Sequence, residues 1–96
     1  VYPKEIELII DDIKGVKESA VIGIYHRDFG EAVIAVVICS ETQNLKETDI
    51  IDHSKQHLAG YKIPKKIIFA DALPRNSMSK VQKNILREHY KDLFNP

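Results

Sequence analysis

Residues 18–25 read ESAVIGIY and residues 32–39 read AVIAVVIC, two short runs rich in β-branched side chains. Each is too short for a typical helix and carries the residue types that fit a pleated surface, so both read as strands. His26-Arg27-Asp28-Phe29-Gly30 lies between them and is of hairpin-compatible length. Upstream, Pro3 suits a first helical turn, Glu5 and Glu7 favour a helix N-terminus, and Ile6, Ile9, Ile10 and Ile13 recur at three- and four-residue spacing. This predicts an amphipathic helix over residues 3–13, ended by Gly15.

Downstream, Ile50, Ile51, Ser54 and Leu58 share one face of a helix expected over residues 45–59. Gly60 is the expected residue just past its end, and Pro64 the stop. Residues 66–71 predict a third strand. The loop Ala72-Leu73-Pro74-Arg75-Asn76-Ser77-Met78 follows, and Val81, Ile85, Leu86, Tyr90 and Leu93 mark a last helix. Ser79 with Gln82 three residues on is a capping-box pattern that would start that helix and put Lys80 at its first position. The fold class is therefore α+β: a small three-stranded sheet with packed helices, in the order αββαβα.

Ninety-six residues, 44% hydrophobic and 29% charged, describe one globular domain with a small core. One cysteine excludes an intrachain disulfide framework, and a reducing cytoplasm is the expected location. No apolar run reaches the ~18–20 residues of a membrane helix, and no signal peptide is visible. The chain opens on Val1 rather than methionine and closes on Pro96, which reads as a piece of a longer protein. Net charge is zero, but residues 1–60 hold 6 basic and 11 acidic side chains while residues 61–96 hold 8 and 3. A basic C-terminal third favours an anionic partner, a phosphate compound or nucleic acid; a solvated lysine-rich face is the plainer alternative.

From the residues alone, the segment from Pro74 to Lys83 is the most suggestive site. A lysine at the mouth of a loop beside a helix start is a natural contact for phosphate or carboxylate. An exposed helix-turn lysine is the competing explanation. His53 and His57 have the four-residue spacing of helical metal ligands, but Ser54 follows His53 where a zinc-protease motif needs glutamate, and no third ligand presents itself. No metal site is expected. Cys39 sits in an apolar strand with no positioned base, as a structural thiol does. No RNA-binding aromatic signature accompanies Tyr2, Tyr25, Tyr61 and Tyr90, so a basic binding module for nucleic acid is a lesser alternative.

Five stretches, in order, resemble the C-terminal domain of adenylate-forming enzymes. They are Val1-Tyr2-Pro3-Lys4-Glu5-Ile6-Glu7, Ala20-Val21-Ile22-Gly23, Asp28-Phe29-Gly30-Glu31, Leu58-Ala59-Gly60-Tyr61-Lys62-Ile63-Pro64 and the nine residues from Leu73 to Val81. Pro74-Arg75-Asn76 and the stretch from Val81 to Asp92 look most like malonyl-CoA synthetases. The resemblance implies an ATP- and magnesium-dependent acyl-CoA synthetase, with Lys80 as the adenylation lysine and Arg75, Asn76 and Ser79 forming its substrate- and phosphate-facing loop. Lys62, Lys65 and Lys66 are candidate contacts for coenzyme A phosphates.

It further implies a large N-terminal domain of the same parent chain that holds most of the ATP, acyl and magnesium sites, so residues 1–96 alone are expected to be inactive. Such lysines are acetylated for control in this family, which makes Lys80 a candidate modification site. A carrier-protein thiol is the alternative acceptor to coenzyme A. One position departs from the pattern: Ser79 stands where the family has glycine, a residue that tolerates positive φ and close approach.

Overall fold

The computed structural model describes residues 3–40 and 44–94; the Val1-Tyr2 part of the first stretch lies outside them. Helix α1 (Pro3–Asp11) is followed by strands β1 (Val16–His26) and β2 (Gly30–Cys39), helix α2 (Glu47–His57), a 3₁₀ turn (Gly60–Lys62), strand β3 (Lys66–Phe69) and helix α3 (Lys83–Tyr90). The sheet order is β1-β2-β3. Strands β1 and β2 are antiparallel, and β3 joins β2 in parallel. The αββαβα order and the α+β class stand as the sequence predicts.

The apolar runs of β1 and β2 are nearly continuous rather than alternating because both faces of the sheet are covered. On one face, Val21, Ala35, Val37 and Ile67 pack with Ile6 and Ile10 of α1 and Ile50 of α2. On the other, Ala20, Ile22, Ile24, Ile34, Val36 and Ile38 pack with Leu73 and with Leu86 of α3. Central strand β2 is sealed from Ile34 to Val37 at 0% exposure. Each Ile or Val among them contributes about 1.5–3 kcal/mol by leaving water.

Several boundaries differ from expectation, each for a local reason. The hairpin is tighter: pairing runs to His26↔Gly30, and Gly30 takes φ 78° at the turn. Helix α1 stops at Asp11 rather than residue 13, since Ile13 N–H bonds back to Ile10 and Gly15, at φ 98°, turns the chain into β1. Gly60 is not a residue capping α2. The helix ends at His57, Leu58 is extended, and Gly60 opens the 3₁₀ turn. Strand β3 ends at Phe69, and its last tie to β2 is Ala70 N–H to Val37 C=O at 3.0 Å.

Long-range polar contacts lock the helices to the sheet. Glu47 of α2 accepts the Ile67 N–H at 2.8 Å and pairs with Lys66 at 3.3 Å. Glu7 of α1 accepts the Val21 N–H at 2.8 Å on the outer edge of β1 and pairs with Lys83 at 2.9 Å. Beside it, the carboxyl of Asp11 is raised above its ordinary pKa of 3.8, chiefly by burial and also by Glu7 and Glu18, against the hydrogen bond from Ser19 Oγ at 2.7 Å.

A carboxyl with a raised folded-state pKa opposes folding once ionised, and that penalty is relieved as pH falls through the raised value toward 3.8. Asp11→Asn, which keeps an acceptor for Ser19, should therefore raise the urea midpoint at pH 7. The advantage should vanish below pH 3.8; a midpoint lowered at pH 7 would contradict this account of Asp11.

Candidate functional site

The chain must pass from β3, beside β2, to α3 on the β1 side, and residues 74–82 make that passage as a small hairpin. Arg75 and Val81 form an antiparallel bridge, Gln82 N–H donates to Pro74 C=O at 2.8 Å, and Asn76 N–H donates to Lys80 C=O at 3.0 Å. At the tip, Ser79 N–H donates to Asn76 C=O at 2.9 Å and Ser79 has φ 65°. A turn followed by one left-handed residue is the bulged hairpin connection, and glycine is the usual occupant of that last position.

Ser79 is therefore not the cap of the last helix. The hairpin bonds hold residues 76–82 out of helical geometry, and α3 begins at Lys83 after Gln82. Lys80 lies one residue past the left-handed turn, on the returning arm. The sequence pattern suggested a cap because serine serves both purposes. The signal against a cap was the departure from the glycine of the resembled pattern, which points to a backbone demand at this position.

Asn76 and Arg75 hold the turn from inside. Asn76 Oδ1 accepts both the Met78 N–H at 2.9 Å and the Lys80 N–H at 3.0 Å. Arg75 Nη1 donates to Ser79 C=O at 2.7 Å, and Nη2 pairs with Glu18 of β1. Both residues were expected to face phosphate, and here they fix the main chain that carries Lys80. Glu18, 57 residues from Arg75, had no local signal in the sequence. Lys80 itself is exposed and has no ion pair among the described residues. It lines an open cleft of ≈ 370 Å³ with Asn76, Gln82, Asn84 and Arg87.

The other candidate lysines lie apart from this loop, from the 3₁₀ turn to the first residue of β3. Lys62 bonds both Glu5 oxygens at 3.0 and 3.1 Å, which raises its pKa, and Lys66 pairs with Glu47. Lys65 stands 4.8 Å over the Phe29 ring, at a second cleft of ≈ 220 Å³ that Tyr61 and Glu31 also line. The Glu31 carboxyl folds back over Gly23 of β1, where a Cβ would come within 2.6 Å of its carboxyl carbon and displace that side chain. The His53 and His57 rings are 4.6 Å apart, and no group of three metal-ligating side chains occurs among the described residues. Burial pushes the Cys39 thiol up, away from reactive thiolate. No helix among the described residues is long and apolar enough to cross a membrane.

A family model described as the AMP-binding enzyme C-terminal domain matches residues 5–80, ending on the exposed lysine. The chain belongs to this family. It is 44% identical over 90 residues to the long-chain-fatty-acid–CoA ligase FadD13 of Mycobacterium tuberculosis, covering 94% of this chain and 18% of that protein. It is 40% identical to a 2-succinylbenzoate–CoA ligase of Listeria monocytogenes, over 94% of this chain and 19% of the relative. Among solved structures, apo MatB from Rhodopseudomonas palustris superposes with TM-score 0.97 at 55% identity, over 99% of this chain and 19% of that one. This C-terminal domain thus spans less than a fifth of each of these relatives, and its acyl-CoA ligase kinship and mixed three-stranded sheet agree with the resemblance read from its motifs.

The φ of 65° at Ser79 costs an L-residue about 1–2 kcal/mol that glycine avoids, partly offset by glycine's larger backbone entropy. Ser79→Gly should raise stability by about 1 kcal/mol in urea unfolding, and Ser79→Ala should not. A Gly variant less stable than the parent would show that the serine hydroxyl, not the backbone, sets the position.

Proposed function

We propose that Lys80 is the adenylation lysine of an ATP-dependent acid–thiol ligase whose larger N-terminal domain supplies the ATP and acyl pockets. The observation that carries this is an exposed ammonium with no ion pair among the described residues, on a hydrogen-bonded hairpin, at the residue where the match to the AMP-binding enzyme C-terminal domain ends. Coenzyme A is preferred over a carrier-protein thiol as acceptor, since the relatives are named CoA ligases. Those relatives are named for chemically dissimilar acids at 44% and 40% identity to this domain, so the acyl pocket is assigned to the N-terminal domain and this domain points to the acid only through kinship. Malonate is the proposed acid, from the resemblance of Pro74-Arg75-Asn76 and of residues 81–92 to malonyl-CoA synthetases.

The chemistry proceeds in two steps. A carboxylate oxygen attacks the α-phosphorus of ATP, the bond to the β-phosphate bridging oxygen breaks, and pyrophosphate leaves with its electron pair. The coenzyme A thiolate then attacks the acyl carbon and AMP departs. Magnesium belongs with the ATP phosphates on the N-terminal domain and would neutralise their charge. In the first step Lys80 binds the carboxylate and α-phosphate oxygens, offsetting their repulsion. One ammonium ~4 Å from an anionic oxygen contributes about 4 kcal/mol at an effective dielectric of ~20. The second step needs the domain to swing, which removes Lys80 from the reacting atoms. Acetylation of Lys80 would abolish the same attraction.

In the full-length protein, Lys80→Ala should lower malonate-dependent pyrophosphate exchange by about 10²–10³. It should leave thioester formation from supplied malonyl-adenylate nearly intact. Equal loss in both half-reactions would overturn the assignment, and acetate or palmitate outperforming malonate would overturn the substrate. Residues 1–96 alone should form no acyl-CoA; turnover by the pure chain would refute the need for a second domain.

Coenzyme A contact is proposed for Lys65, beside the Phe29 and Tyr61 cleft, since Lys62 and Lys66 are already paired with Glu5 and Glu47. Lys65→Ala should raise KM for coenzyme A with KM for ATP unchanged. An unchanged coenzyme A KM would remove Lys65 from that site.

A further inference from the structure

The basic C-terminal third is less free than its charge suggests. Of the 8 basic side chains in residues 61–96, Lys62, Lys66, Arg75, Lys83 and Lys91 are ion-paired with Glu5, Glu47, Glu18, Glu7 and Glu88. Lys65 lies over Phe29. Only Lys80 and Arg87 keep charges with no partner among the described residues of that third, and the two line the same cleft. No carboxylate lines that cleft. Its remaining polar walls are the amides of Asn76, Gln82 and Asn84 and the Glu7-paired Lys83.

Such a lining selects for anions. Arg87 and Asn84 are three apart on α3 and so share a helix face. The α3 face toward the sheet is anchored by buried Leu86. An arginine left exposed without a counter-charge, at a cleft with amide donors, suits a phosphate: its planar fork binds two oxygens at once where lysine offers a point charge. Arg87 is exposed and has no ion pair among the described residues, so its charge is available to a ligand.

We infer that Arg87 is the second cation of the Lys80 site and that this cleft takes a phosphate group, carried by ATP or by coenzyme A. The inference rests on the reading of Lys80 as the adenylation lysine. Lys80 meets the reacting carboxylate and α-phosphate, while Arg87, farther along α3, holds another phosphate of the substrate in use.

The test compares Arg87→Gln, Arg87→Lys and a control, Lys55→Gln, in the full-length protein. Arg87→Gln should raise either KM for ATP in pyrophosphate exchange or KM for coenzyme A in thioester formation by about tenfold or more, as loss of a charged hydrogen-bond pair does. The KM that moves names the source of the phosphate. Arg87→Lys should recover part of the loss, the control should change nothing, and the unfolding midpoint should stay put.

A readout independent of turnover follows binding of tripolyphosphate to the 96-residue chain by the backbone amide NMR signals of Val81 and Asn84, which line the cleft and are present in every variant. Binding should weaken in Lys80→Ala and again in Arg87→Gln. Unchanged KM values together with unchanged tripolyphosphate affinity in Arg87→Gln would overturn the proposal. So would equal rises in both KM values with a lowered unfolding midpoint, or equal effects of Lys55→Gln. Arg87-dependent tripolyphosphate binding in a protein whose pyrophosphate exchange ignores Lys80→Ala would sustain the phosphate cleft and refute the adenylation role instead.

Discussion

The antiparallel ladder between β1 and β2, buried on both faces, is the constraint from which the remaining structure follows. Strands with Ile22, Ile34 and Val36 on one side and Val21, Ala35 and Val37 on the other cannot leave either side in water. Helices α1 and α2 close one face. The other can be closed only by α3, which reaches it after β3 has already paired with the far side of β2. The chain has to cross to the β1 side between residues 70 and 82. The crossing places Lys80 near the outer edge of β1, where Glu18 and Glu7 anchor Arg75 and Lys83 on either side of it.

A lysine in a loop is ordinarily mobile at both backbone and side chain. Here Asn76 takes both the Met78 and the Lys80 N–H groups on one oxygen, and Arg75 clamps the Ser79 carbonyl. The backbone is fixed while the ammonium stays in solvent. On docking of Lys80 against a partner surface, little ordering of the loop would remain to be done. The left-handed Ser79 is the strained element of the turn. Its persistence shows that the surrounding bonds over-determine the geometry.

The αββαβα order was legible in the sequence because β-branched runs and three-to-four spacing are local signals. Element ends were less so, since they depend on partners far along the chain: Glu47 meeting Ile67 ties α2 to the start of β3, and Val37 accepting from Ala70 fixes where β3 stops. At the candidate site, the motif marks the position of Lys80 in the loop. The bonds that Arg75 and Asn76 make within that loop were not legible, because a polar loop residue can face a ligand or the loop's own main chain with the same local sequence. Ser79 was misread as a helix cap for a related reason: a hydroxyl three residues before a glutamine satisfies the cap pattern, and only the hairpin bonds reveal the positive φ. Arg87 emerged only once the ion pairs of its neighbours were known.

Ion pairing thus divides a basic segment into cations tied to α1, α2, β1 or α3 and three, Lys65, Lys80 and Arg87, that carry no ion pair among the described residues. The most direct measurement is a structure of the full-length protein with a nonhydrolysable acyl-adenylate analogue bound. The account predicts Lys80 Nζ within hydrogen-bond distance of the analogue's carbonyl and phosphate-mimicking oxygens, with the Asn76 turn and the left-handed Ser79 unchanged. Lys80 directed into solvent, with a different cation of the chain on those oxygens, would contradict it.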